Sequence, residues 1–317
     1  MDGKSSINFS AVPSAVAYKR ALSASSDHIV QTRLISILPS SGGGTYGDGS
    51  GSQDLTLYIQ DPSESSFLHP ESVYMTCNIQ TLLANGTAAT TGNFEVSAND
   101  IVERVQVRGM KSRVQLSDCQ HFNVFSAAMD KLKYDDYYLG KNEPGRGMGN
   151  EAVDAAGGTN LNYGGSSKGA IAAAGLGSGT TQFKIDLSKV GLFSPLPGSK
   201  KALMLPLGSS GGYELNLRFA PTSQAFIGYA TGNSPPTTTV KYAVTNVKLH
   251  AKVSYMSPSF MAMFKQSIAS GQMSIPYMSY IALQHNPKST SETIRVGSSL
   301  EHLNSIFITH RVTADVA

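Results

Sequence analysis

The sequence predicts an all-β fold. Apolar and polar residues alternate with a two-residue period from about residue 53 onward, helical periods are scarce, and turn-forming residues are spread along the chain. Only 15% of the 317 residues are charged, Gly, Ser, Thr, Asn and Pro are abundant, and there is no tryptophan. That composition is turn-rich. An apolar fraction of 40%, with 12 Phe and 14 Tyr, separates the chain from disordered sequences of low hydrophobicity and high charge. Its length suits one large β domain or two smaller ones.

Leu55, Leu57 and Ile59 share one face of QDLTLYIQ, and Val73, Met75, Cys77 and Ile79 share one of SVYMTCNIQ. Asp61-Pro62 and the serines after it separate these strands. Asn85-Gly86-Thr87 is a turn signal, since Asn-Gly accepts positive φ cheaply; it also fits a glycosylation pattern, but is read as turn chemistry. In IVERVQVRG the inward set is Ile101, Val105 and Val107, interrupted by Glu103, and a further strand is expected from Arg113 to Leu116. The best helix of the first half lies between Asp118 and Tyr138, where Phe122, Phe125, Ala128, Met129 and Leu132 approximate a 3.6-residue stripe. From Gly140 to Thr180, which holds twelve of the 31 glycines, the pattern collapses into a long insertion, expected to be a surface projection or a subunit-contact loop.

Alternation resumes at Phe183, Ile185 and Leu187, then at Leu203, Leu205 and Leu207, and runs without error through Tyr213, Leu215, Leu217 and Phe219. In KYAVTNVKLHAKVSYM, Tyr242 and Val244 hold one parity, whereas Val247, Leu249, Ala251, Val253 and Tyr255 hold the other. One extra residue near Thr245-Asn246 restores a common face, which predicts a β-bulge. After Pro258 a short helix is expected, with Phe260, Met263, Phe264 and Ile268 on one side and Gly271 just past its end. Strand-like alternation restarts at Met273, Ile275, Tyr277, Ile281 and Leu283 and marks the start of a second β unit.

The net charge of +3 comes from 25 scattered Lys and Arg, not from the clustered run that a nucleic-acid-condensing arm concentrates. The segment up to Leu38 offers only Lys4, Lys19, Arg20 and Arg33, and is read as a structural arm. Cys77 and Cys119, the only cysteines, are read as free thiols, because Cys77 takes an inward strand position where a thiol behaves as a small hydrophobe. No apolar run approaches a membrane span and the N-terminus lacks a signal peptide's apolar centre, so a soluble chain made inside a cell is expected.

Catalytic patterns fail on context. GSSGG at Gly208 to Gly212 fits G-x-S-x-G and would make Ser210 a nucleophile, but an elbow needs a following helix, and here a strand follows; a hairpin connection is the expected role. Gly145, Gly147 and Gly149 have the wrong third spacing for a phosphate loop. His28, His69, His121, His250, His285, His302 and His310 show no metal-ligand spacing with either cysteine. Asp135-Asp136 and Glu151-Asp154 read as solvated charge, because no buried pocket is implied that would raise one pKa. The aromatics of KLKYDDYY could stack on bases, but two aspartates there repel phosphate. No catalytic, cofactor-binding or metal residue is assigned, and the chain is not expected to be an enzyme.

The order of segments resembles the double jelly-roll major capsid proteins of tailless icosahedral DNA viruses. QDLTLYIQDPSESSFLHPESVYMTCNIQTLL resembles that family's opening strand pair, in which an apolar strand of the form V-Y-M-x-C-x-I follows a Pro- or Ser-rich crossing. Residues 101–116 look like the next strands, YAVTNVKLHAKVSYMSP is similar to the strand closing the first barrel, and FMAMFKQSIASGQMSIPYMSY to the helical linker and the first strand of the second. SSLEHLNSIFITHRV looks like a strand within the second barrel.

The resemblance implies an N-terminal arm and flexible hinge over 1–50, with GGGTYGDGSG at its end; a first jelly roll over 51–257 with a Gly-rich insertion at 140–180; and a helical linker with the start of a second jelly roll over 258–317. Residues after Phe260 hold about four strands, whereas a jelly roll has eight. The second barrel is therefore expected to be incomplete in this chain. Also implied are homotrimeric pseudo-hexagonal capsomers within an icosahedral shell around the genome, other capsid proteins as partners, no sequence-specific nucleic-acid contact, indirect contact with the genome or an internal membrane, and a place in the virion after assembly inside the host cell. Competing readings are a carbohydrate-binding or adhesive jelly-roll sandwich, which wants an aromatic platform or an acidic calcium loop, and a cupin-like oxygenase, which wants converging His and carboxylate ligands.

Overall fold

The computed structural model describes residues 28–40, 43–48, 52–83, 97–133, 152–153, 159–160, 182–189, 191–194, 203–225, 240–271, 275–277, 279–282 and 306. The all-β expectation holds, and every strand pairing is antiparallel. The strands are β1 (Ile29–Ile37), β2 (Asp54–Ile59), β3 (Ser66–Leu83), β4 (Val102–Gly109), β5 (Gln115–Gln120), β6 (Ala152–Val153), β7 (Thr159–Asn160), β8 (Gln182–Asp186), β9 (Leu205–Pro206), β10 (Tyr213–Phe219) and β11 (Val240–Met256). Helices are α1 (Phe122–Lys133), α2 (Thr222–Ala225) and α3 (Pro258–Ala269). One sheet has the order β1-β11-β3-β8, with β9 also on β3; the other has the order β2-β10-β4-β5; β6 and β7 pair apart.

The predicted inward rows make one core. Leu55, Leu57 and Ile59 of β2, Val105 and Val107 of β4, and Leu215 and Leu217 of β10 come from one sheet; Met75, Cys77 and Ile79 of β3, Ile185 of β8, and Leu249, Ala251 and Val253 of β11 come from the other. All are buried. Each large aliphatic side chain so placed contributes about 1.5–3 kcal/mol relative to exposure. The bulge in β11 falls where parity required it: the register with β3 shifts between Thr245 and Lys248, and Asn246 has φ 51°. Asparagine tolerates that left-handed conformation better than a branched side chain does.

Two parts of the segment expected to be an arm and flexible hinge are built into the sandwich. β1 pairs with β11 along its length, held by backbone bonds and by Thr32–Ser254 and Ser36–His250 side-chain contacts at 2.8 and 2.9 Å. Within GGGTYGDGSG, Tyr46 is buried and exchanges backbone bonds of 2.9 and 2.7 Å with Val244, beside the bulge. Its ring lies 6.0 Å from that of Phe219. Gly47, at φ +107°, lies against Tyr242 so closely that a Cβ would sit 2.9 Å from the ring. Asp48 then accepts hydrogen bonds from the backbone and hydroxyl of Thr222 at 3.0 and 2.8 Å. An aromatic ring and a carboxylate thus fix a glycine-rich crossing that composition alone reads as loose.

Boundaries shift at β5 and α1. The strand expected at Arg113–Leu116 is β5 at Gln115–Gln120, because Arg113, at φ 59°, belongs to the turn after Gly109, while Cys119 and Asp118 pair with Val105 and Gln106. The helix therefore starts at Phe122, after the left-handed His121. Its expected apolar stripe also turns away: Phe122 is buried, but so are Asn123, Ser126 and Asp130, whereas Leu132 is 74% exposed.

A polar network sets that rotation. Lys189 Nζ donates to Ser126 Oγ at 2.9 Å and to Asp130 Oδ2 at 2.5 Å, with the two charged side chains 12% and 1% exposed. Asn99 Nδ2 donates to Ser126 Oγ at 2.8 Å, and Asn99 Oδ1 accepts from the Asp186 backbone at 2.9 Å. Asn99 before β4, the end of β8 and the turn after it are thus tied to α1 by polar contacts.

α3 begins at the Ser257 cap with Pro258 in its first turn, and Gly271 follows its end at φ +67°. It covers the outer side of β3 by packing Phe260, Met261 and Phe264 on Phe67 and Met256, with Phe67 centroids 5.7 and 5.0 Å from Phe260 and Phe264. Met263 and Ile268, expected on the packed side, are exposed: Met263 is turned off the face that Phe260, Met261 and Phe264 share, and Ile268 lies a turn beyond Phe264. Residues 275–277 and 279–282 form no strand, although the Tyr280 ring lies 4.6 Å from that of Phe125, tilted by 58°. The rest of the expected second unit, the Asn85-Gly86 turn, and most of the 140–180 insertion lie outside the described residues.

Replacing Asp130 with Ala, which strands a buried ammonium, is expected to cost about 3–5 kcal/mol in urea unfolding. Asp118→Ala, which frees the half-exposed Arg104, is expected to cost about 1 kcal/mol or less. At the bulge, Asn246→Val is expected to lose about 1–2 kcal/mol, with Asn246→Gly close to neutral in the same assay.

Candidate functional site

Ser210 is a structural hydroxyl. β9 belongs to one sheet and β10 to the other, so the GSSGG segment is a corner between sheets instead of the expected hairpin connection within one. Ser210 Oγ lies 2.6 Å from the Pro206 carbonyl and 3.0 Å from that of Leu207, and Tyr213 Oη donates to the same Pro206 oxygen at 2.9 Å. Gly208 passes the Ser63 backbone so closely that a Cβ would meet its carbonyl oxygen at 1.9 Å. A hydroxyl engaged with two carbonyls, and with no hydrogen bond to a histidine among the described residues, lacks the partner that activates a nucleophile.

Cys77 and Cys119 are free and buried, and burial pushes both thiols up to about 12. They are packing groups. The described histidines are dispersed. His28 sits beside Phe260 with Nδ1 3.4 Å from Ser257 Oγ, His69 Nε2 is 2.7 Å from Ser254 Oγ, His121 makes the break before α1, and His250 lies on β11. Among the described residues no three His, Cys, Asp or Glu side chains converge on a metal position. His285, His302, His310, Asp135, Asp136, Glu151, Asp154 and the glycines at 145, 147 and 149 lie outside the described residues.

What the sandwich does present is an ordered outer face. His250 holds Ser36 Oγ on Nδ1 and Thr76 Oγ1 on Nε2, both at 2.9 Å, and stacks on Tyr74 at 4.9 Å. Lys184 Nζ lies 4.7 Å from the centroid of that same ring. This ladder crosses β1, β11, β3 and β8 in turn, and the Thr32–Ser254–His69 chain runs parallel to it over three strands. Cross-strand pairs of this kind stiffen a sheet by about 0.2–1 kcal/mol each. The face is hydrogen-bonding, and Lys184, Lys248 and Lys252 give it positive charge.

At its margin lies an apolar border. Val30 is 70% exposed, and Leu34 and Leu38 are each 62% exposed, all on or next to β1, which ends the sheet. Met263 and Ile268 of α3 and Ile281 add further exposed apolar surface. The border escaped the sequence reading, which began its alternation near residue 53, although IVQTRLISI has the branched, aliphatic composition of a strand. Position in the sheet decides which of these side chains meet water, and a single sequence does not carry that.

The sequence matches no protein-family model and no curated protein.

Burial, then the charge of Lys248, lowers the His250 pKa below its ordinary 6.5. Folding therefore favours the neutral ring, so the stability that His250 contributes is present above 6.5 and is lost as pH falls through its depressed folded value. Urea midpoints are expected to drop as pH is lowered from about 7 to about 5, less steeply in His250→Gln. The raised thiols act at the other limit: stability is lost as pH rises from about 9 towards about 12. Near neutral pH both cysteines are expected to resist a thiol reagent until the chain is unfolded.

Proposed function

We propose that this chain is a jelly-roll capsid subunit, a structural protein that acts by self-association into trimeric pseudo-hexagonal capsomers and an icosahedral shell. The strand order carries the reading. With the two-residue strands β6, β7 and β9 set aside, the eight remaining strands in chain order lie 1-8-3-6 in one sheet and 2-7-4-5 in the other. Strands 1 with 8, 2 with 7, 3 with 6 and 4 with 5 are antiparallel partners. Such nesting is what one long hairpin produces when it is rolled so that successive pairs alternate between two sheets, the connectivity of a jelly roll.

Function does not follow from fold alone. The surface adds to the case: a sheet face cross-linked by side-chain hydrogen bonds, with exposed aliphatic side chains on and next to β1, suits contact with neighbouring copies. In this reading α3 is the linker to a second barrel beginning beyond it, and the role is structural instead of enzymatic.

Light scattering after size exclusion, with negative-stain microscopy of the same fractions, tests the proposal. Trimers and closed particles are expected. A stable monomer at high concentration, with no larger species, would overturn it.

A further inference from the structure

Among the described residues β1 is the edge of its sheet, and its composition is unusual for an edge. Natural sheets blunt such strands with lysine, proline, bulges or short length, because an unpaired row of backbone donors and acceptors recruits other chains. β1 runs for nine residues, and IVQTRLISI contains one charge, Arg33, and neither proline nor glycine; its register with β11 shifts between Ile29 and Gln31, and from Gln31 to Ile37 it pairs without a break. Arg33 is turned over the chain's own Tyr255 ring, 5.4 Å from its centroid. Leu34 lies opposite Lys252, and Thr32 and Ser36 lie opposite Ser254 and His250, which puts all three on the outer face. Val30 and Leu38 flank them, four residues to either side of Leu34, and all three aliphatic side chains are exposed.

We propose that β1 pairs antiparallel with β1 of a second copy, about a two-fold axis at Leu34, so that the two outer sheets become continuous. The pattern itself is self-complementary. With Leu34 facing its own copy, Thr32 faces Ser36; on the other side of the strand Arg33 faces Ile35 and Gln31 faces Ile37. On the outer side leucine meets leucine and hydroxyl meets hydroxyl, and on neither side does a charge face its like. A two-fold interface needs this property, because the same patch serves both partners, and directly opposed Cβ atoms in such a pair lie about 4.5–5.5 Å apart. This inference rests on the self-association reading above and names one of the surfaces that it uses.

A Leu34→Cys variant tests it, since Leu34 is exposed and the native cysteines are both buried. Treated with a short bismaleimide at micromolar protein, Leu34→Cys is expected to give mostly covalent dimer, and Leu132→Cys on the exposed side of α1 only background. Leu34→Lys is expected to abolish the dimer seen by light scattering while leaving the urea midpoint unchanged. Equal cross-linking of the two cysteine variants would overturn the pairing. So would a monomer in which the thiol introduced by Leu34→Cys resists labelling, because the chain's own first 27 residues would then cover the strand. Particles that form without cross-linking through that introduced thiol sink this edge and leave the shell reading standing. A cross-linked dimer that forms no larger species sinks the shell and leaves the edge.

Discussion

The antiparallel pairing of β3 with β11 is the constraint on which the rest of the molecule depends. These are the two longest strands, of 18 and 17 residues, and they lie side by side in the middle of their sheet. One face of the pair supplies Met75, Cys77, Leu249 and Val253 to the core, and the other carries the His250 ladder and the Phe67 platform for α3. A ribbon this long cannot keep one parity and one register while the sheet twists. The register shifts at Asn246 and again between His250 and Lys252, and beside the first shift Tyr46 bonds to Val244 and holds the crossing from β1 to β2.

The core was legible in the sequence because it follows from period-two alternation, which depends only on the pleat. The rows at Leu55–Ile59 and Tyr213–Phe219, and the parity change near Asn246, could be read without coordinates. Failures cluster where a polar group decides the geometry. Asn99 and Lys189 lie far from α1 in the chain, yet they determine which of its faces turns inward; no helical stripe can anticipate that Ser126 and Asp130 would have such partners. In the same way, the glycines around Tyr46 suggested slack, whereas one ring and one aspartate hold the crossing in place.

The candidate surface was less legible still. An outward strand position reads the same whether water or another strand lies beyond it, and only the sheet order makes β1 an edge. The ladder of His250, Ser36 and Thr76 joins three strands distant in sequence, so its members look like isolated polar residues until the register is known. The cross-strand partnership of His250, Ser36 and Thr76 has no signature in their spacing.

The union of β1 with β11 also bears on biosynthesis. Thr32 and Ser254 are 222 positions apart, so β1 leaves the ribosome long before its neighbour exists. At about 5–20 residues per second the delay is about 10–40 s. Throughout that interval a strand with one charge in nine residues lacks β11, the partner that holds it in the folded protein.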